Sequence, residues 1–126
     1  VKRVKDRPFP AHEVTQPGFL LMPAGRYGPA FIATDNFYVL KSYNESDVYA
    51  LFVGHLADRY GSNTGFVQDW TPVATRSRGA VRKIQLELEA KGHDVGGADG
   101  LIGFKTRRSL GAAQEQAGRK ATCWLE

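Results

Sequence analysis

The apolar positions of the chain change their period twice. Phe19–Met22 is a short apolar run, stopped by Pro23-Ala24-Gly25-Arg26-Tyr27-Gly28-Pro29. Ala30–Thr34 and Phe37–Ser42 then alternate apolar and polar residues, with Asp35-Asn36 between them as a turn. The pattern predicts a small antiparallel sheet of Phe19–Met22, Ala30–Thr34 and Phe37–Lys41; three strands are about the minimum for an independent sheet. From there the period lengthens. Tyr49, Phe52, Val53, Leu56 and Tyr60 fall at the 3–4 spacing of one buried helical face. Asn44 or Ser46 suits the cap, Asp47 the first turn, and Gly61 the stop. Ahead of all this, Val1–Phe19 is polar, with prolines at Pro8, Pro10 and Pro17, and reads as an extended lead-in, with or without one short strand.

Ser62–Arg76 has no helical period and reads as a linker, although Phe66 and Trp70 are too apolar for a free tether and are expected to dock on a flanking unit. From Ser77, a candidate cap, a second amphipathic pattern begins: Val81, Ile84, Gln85 and Leu88 share a face, and Gly92 stops it. Gly92–Thr106 then carries five glycines in fifteen residues. Each would cost about 1 kcal/mol against alanine inside a helix, so the stretch is a tight loop. Asp94 and Asp99 are placed to fold back on nearby N–H groups as Asx turns. A further helix starts near Gly103–Phe104, turns Leu110, Ala113 and Ala117 inward and ends at Gly118. Cys123-Trp124-Leu125 would cover its open side.

Composition narrows the class. The 126 residues are 42% apolar and 24% charged, a globular balance. No apolar run approaches the roughly 20 residues of a membrane span. The chain opens on valine, as expected of a processed or cut chain, so the lack of a signal peptide leaves export open. Net charge is +4, with basic clusters at Val1–Arg7, Arg76–Lys83 and Lys105–Arg108. Such a surface suits an anionic polymer, nucleic acid or lipid, although solvated charge is its commonest meaning. The single cysteine, Cys123, forms no internal disulfide and no metal cluster.

Two resemblances give these patterns a function. Leu21-Met22-Pro23-Ala24-Gly25, Gly28-Pro29-Ala30-Phe31, Asn36-Phe37, Tyr43-Asn44-x-Ser46-x-x-Tyr49-Ala50-Leu51 and Gly54-His55-Leu56-Ala57-Asp58-Arg59 look like the end of the catalytic domain of the lytic murein transglycosylase B family. The resemblance implies that Tyr43, Asn44 and Tyr49 line a glycan groove. Sugar rings present apolar faces to aromatics, and their hydroxyl and N-acetyl groups bond to amides. Without it, Asn44 reads as a cap and both tyrosines as packing residues. The second half, about Val81–Gln116, resembles the peptidoglycan-binding repeat module through Leu88, Gly92, Val95, Asp99-Gly100, Gly103, Thr106 and Leu110. It implies that Asp99, Gly100, Gly103 and Thr106 border a shallow groove for the wall polymer. The alternative is that Asp99 and Gly100 fix the loop and Thr106 caps or packs. Phe104 stands where that family often has proline, and the family usually continues through a further short helix.

The expected fold is therefore α+β. A small antiparallel sheet plus helix (1–61) would be the tail of a lysozyme-like transglycosylase domain. A linker (62–76) would lead to a three-helix peptidoglycan-binding bundle (77–126).

Lytic transglycosylases cleave between N-acetylmuramic acid and N-acetylglucosamine without water, the muramic 6-hydroxyl attacking to leave a 1,6-anhydro end. One carboxyl of raised pKa serves as acid and then base. In the family that glutamate lies in a Glu-Ser/Thr-x-Phe/Tyr-Gly motif, and this chain has none. Glu45-Ser46-Asp47-Val48 lacks the aromatic and the glycine and falls on the groove loop, where a carboxylate has no cause for a raised pKa.

No catalytic residue, cofactor or metal site is expected. Gly103-Phe104-Lys105-Thr106 breaks the contiguous Gly-Lys-Thr of a phosphate loop. Asp94 and Asp99 lack the alternate ligands of a calcium loop, His12-Glu13 has no second histidine, and His55 stands alone. The expected partners are peptidoglycan glycan strands and the amino-terminal part of the catalytic domain, in the periplasm or cell envelope. An autonomous, non-catalytic wall-binding or scaffold module is the alternative, and a nucleic-acid binder ranks behind both.

Overall fold

In a computed structural model of the chain, residues 8–9, 11–12, 14–63 and 65–126 are described. Part of the expected lead-in, including its basic cluster Val1–Arg7, lies outside them. The chain divides into two units: Val1–Pro23 with Pro29–Asp69, and Ala24–Gly28 with Trp70–Glu126.

The first unit holds strand β1 (Phe19–Leu21) antiparallel to β2 (Phe31–Ala33), in the register Phe19↔Ala33, Leu20↔Ile32, Leu21↔Phe31. Alternation decides which face is inside. Leu21 and Ala33 are buried, while Leu20 and Ile32 meet on the exposed face. Helix α1 (Asp35–Tyr43) follows directly, then α2 (Asp47–Gly61).

The third strand expected over Phe37–Lys41 is corrected by α1. Thr34 sits at its N-cap and Asp35 in its first turn, so the pair read as a hairpin turn opens a helix instead. Phe37, Leu40 and Lys41 are its half-buried side, and Val39, which a strand would have turned the same way as Phe37, is exposed. Gly54 of α2 leaves room for Leu40: a Cβ there would come within 3.4 Å of the Leu40 Cδ1.

Of the two candidate caps for α2, Ser46 is the one that bonds: its Oγ accepts from Tyr49 N–H at 3.3 Å. Asn44 closes α1 and, through Oδ1, accepts from Ser46 N–H at 3.1 Å. Phe66 docks on its own unit, stacked on His55 (centroids 4.0 Å apart) and edge-on to Phe31 (5.4 Å).

The second unit is built on α3 (Arg78–Ala90) and α4 (Phe104–Gln116). Ser77 caps α3, its Oγ accepting from Ala80 N–H at 3.2 Å. Gly92 past its end and Gly118 past α4 have φ of +84° and +70°, the left-handed closure for which glycine is suited. Leu88, Val95 and Leu110 form the core, with Ile84, Ala113 and Leu125 against them.

Residues 117–126 form no helix. The third helical element of this unit is a single 3-10 turn, Gly25–Tyr27, supplied by the segment between the two strands. Thr122 O accepts from Arg26 N–H at 2.9 Å, Tyr27 O accepts from Thr71 N–H at 2.7 Å, and Trp70 lies over Gly28. Buried Gln114 fixes the final segment. Its Oε1 accepts from Thr122 and Cys123 N–H at 2.9 and 3.0 Å, and its Nε2 donates to Trp124 O at 3.0 Å.

Candidate functional site

The residues singled out in the sequence fall into two sets, one in each unit. In the first unit, Tyr43, Asn44 and Tyr49 are gathered at the α1–α2 junction by one short loop. Tyr43 is 86% exposed and Tyr49 38%. The Asn44 Oδ1 is engaged by the Ser46 N–H, and its amide NH2 donates to none of the described residues. Capping and exposure therefore coexist: the loop's internal bonds set its shape and leave two phenol rings and one amide face to solvent. Lys41 and Asp47 clamp the junction with a 2.8 Å salt bridge. Glu45 lies on the same loop, exposed and with no apolar enclosure.

In the second unit the Gly/Asp loop is organised from beneath by Gln85, which is 1% exposed. Its Oε1 accepts from Gly100 N–H at 2.7 Å. Its Nε2 faces Leu101 O (2.8 Å), Thr106 Oγ1 (3.1 Å) and Asp99 Oδ1 (3.3 Å). The periodicity places Gln85 on the buried face of its helix and does not reveal this anchoring role. A polar residue at the centre of an apolar stripe is the available signal, since a buried amide needs partners.

Thr106, 1% exposed, donates its hydroxyl to Val95 O at 3.2 Å. Ser109 Oγ donates to Asp94 O at 2.7 Å. Gly100 is buried at φ +80°, and a Cβ there would fall 2.4 Å from Arg78 O. Thr106 and Gly100 thus shape the loop from inside, whereas Asp99 and Gly103 lie nearer its surface.

Both loop aspartates form the expected Asx turns. Asp99 Oδ1 accepts from Leu101 N–H at 2.8 Å and Asp94 Oδ1 from Gly96 N–H at 2.9 Å. The Leu101 N–H, followed by the Gln85 amide and the Arg78 charge, holds the Asp99 carboxyl below its ordinary pKa against the opposing pull of desolvation. Asp94 is lowered by the Lys105 ammonium, 2.9 Å away, and by Gly96 N–H.

Beside this loop, Arg78, Gly79, Arg82, Ala98 and Asp99 line an open cleft of about 470 Å³. A smaller apolar recess of about 230 Å³ lies among Val73, Val81, Ile102, Trp124 and Leu125. Among the described residues no group of three or more His, Cys, Asp or Glu side chains could hold a metal ion, and no helix is long and apolar enough to cross a membrane.

The fold has known counterparts. Residues 1–58 match the family described as the transglycosylase SLT domain, and that part of the chain belongs to it. Across 99% of its length it is similar, at 36% identity and a TM-score of 0.82, to the crystal structure of SltB3 from Pseudomonas aeruginosa in complex with NAG-NAM-pentapeptide. A second SltB3 structure, in complex with NAG-anhNAM-pentapeptide, is similar over 95% of the chain at 37% identity and a TM-score of 0.78. The chain spans about one third of those proteins, 34% and 32% respectively. No curated protein matches it.

Proposed function

We propose that this chain recognises peptidoglycan as part of a lytic murein transglycosylase of the cell envelope or periplasm, and that the catalytic glutamate is not among its residues. The observation that carries the reading is the likeness, along nearly the whole chain, to a transglycosylase solved with a glycan-peptide ligand. The exposed junction loop supports it. Tyr43 and Tyr49 offer ring faces for sugar stacking, and the Asn44 NH2 offers a donor for an N-acetyl carbonyl or a hydroxyl.

Residues 1–61 would be the carboxy-terminal segment of the catalytic domain, 62–76 a linker and 77–126 a peptidoglycan-binding module. In that module Asp99 and Gly103 would face the polymer, on a loop whose shape depends on Gly100 and Thr106. The reaction, attack of the muramic 6-hydroxyl on its own anomeric carbon, needs a carboxyl held neutral in an apolar pocket. Glu45, on an open loop, has no such pocket.

Incubation with purified sacculi, followed by mass spectrometry of the soluble products, tests this. The chain alone is expected to release no 1,6-anhydromuropeptides, and addition of the upstream part of the catalytic domain to restore release. Anhydro products from the chain alone would overturn the reading. Binding retained with no restoration would favour an autonomous wall-binding module.

A further inference from the structure

We infer that the cleft beside the Gly/Asp loop is a carboxylate-binding subsite, in which Arg78 and Arg82 receive a free carboxylate of the peptide borne by the wall polymer. The inference deepens the peptidoglycan reading and rests on it.

Arg78 and Arg82 stand four residues apart on α3, and so on one face of the helix. Each is held by its inner nitrogen. Arg78 Nε donates to Asp99 O at 2.8 Å, and Arg82 Nε to Ala98 O at 3.0 Å. Two consecutive loop carbonyls thus orient both guanidinium groups, and both residues line the open cleft.

Neither forms a salt bridge among the described residues. Asp99 is the acid lining the cleft among the described residues; its Oδ1 is turned to Leu101 N–H and Gln85 Nε2, and the Arg78 charge acts on its carboxyl without an ion pair. The terminal nitrogens of both forks therefore keep donors for an incoming anion, with the side-chain entropy of anchoring already spent. Paired N–H donors of a guanidinium match the two oxygens of a carboxylate. Gly79 also lines the cleft, and a Cβ there meets nothing within 4 Å. The exposed Arg pair gives the positive charge of this unit a place where direction as well as sign is fixed.

The test is co-sedimentation of the full chain with intact sacculi and with sacculi whose carboxylates have been amidated, repeated with N-acetyl-alanyl-alanine and its C-terminal amide as NMR probes. Amidation should weaken binding by about tenfold or more, in proportion to charge-assisted hydrogen bonds. Arg78→Gln/Arg82→Gln should bind intact sacculi as weakly as wild type binds amidated sacculi. Arg78→Lys/Arg82→Lys, which keeps charge and loses the fork, should recover only part.

Because the arginines also brace the loop, Gly79→Asp provides an independent arm: it removes no contact, adds a carboxylate to the cleft beside the guanidinium groups, and should give the same loss with a melting temperature that is not lowered, since an acid in the first helical turn replaces a glycine. The peptide probe, but not its amide, should shift Gly79 and Ala98 resonances. Wild-type binding indifferent to amidation and to Gly79→Asp would overturn the subsite and leave the peptidoglycan reading standing. A wild-type chain that ignores sacculi altogether would overturn both. Tighter, Arg-dependent binding to duplex DNA would make the cleft a phosphate site and overturn the inference.

Discussion

The side-chain nitrogen of Gln85 lies 3.1 Å from the hydroxyl oxygen of Thr106, joining α3 to α4 beneath the Gly/Asp loop. Through the same amide the loop backbone is held at Gly100 and Leu101. The loop presented to solvent is thus anchored from beneath by one buried amide.

Replacing that amide should be costly. Gln85→Leu keeps bulk but leaves Gly100 N–H, Leu101 O and Thr106 Oγ1 short of a partner, and buried unsatisfied groups cost about 1–3 kcal/mol each before relaxation. A net loss of about 2–4 kcal/mol is expected in urea unfolding, with Thr106→Val costing less, about 1–2 kcal/mol.

Two glycines with nearly equal φ should respond differently. At Gly92 (φ +84°) a Cβ meets nothing, so Gly92→Ala should cost only the left-handed penalty, about 1 kcal/mol. At Gly100 (φ +80°) the same atom would strike Arg78 O and its side chain, and the cost should exceed about 3 kcal/mol or displace the loop. Thermal melting of the two variants side by side checks the difference.

Acid should weaken the loop. Asp99 and Asp94 are held below their ordinary 3.8 in the folded chain, the first chiefly by Leu101 N–H and the second by Lys105. The folded state then binds fewer protons than the unfolded one in this range. The stabilisation is complete above about pH 5 and declines as pH falls through 3.8 toward the lowered values. Asp94→Asn/Asp99→Asn should flatten the pH dependence of the melting temperature below pH 5, about where the wild type starts to fall.

Much of the second unit was legible. Ser77, Gly92, Gly103 and Gly118 mark both helices to within a residue or two, because caps and stops act through local backbone geometry. The first unit was less so. Phe37-Tyr38-Val39-Leu40 is too short an apolar run to distinguish a strand from a helix by period, and its assignment turned on whether Asp35-Asn36 closed a hairpin or opened a helix. The 3-10 turn at Gly25–Tyr27 was not legible as part of the second unit, since that depends on Thr71 and Thr122, distant in sequence. Arg78 and Arg82 were visible only as members of a basic cluster, because their orientation comes from carbonyls 21 and 16 residues away.

At the junction loop, stability and binding should separate. Tyr43 projects into solvent, so Tyr43→Ala should change stability by no more than about 0.5 kcal/mol. If its ring stacks on sugar, affinity for glycan strands should fall about five- to tenfold. Equal affinity would remove Tyr43 from the binding surface.

The most direct measurement is retention of the intact chain on insoluble peptidoglycan against DNA–cellulose, at about 50 and 200 mM salt. Retention on peptidoglycan at both concentrations, with DNA binding absent or lost by orders of magnitude as salt rises, is the expected result. Passage through peptidoglycan at either salt, or a stronger hold on DNA, would contradict a wall-polymer-binding surface.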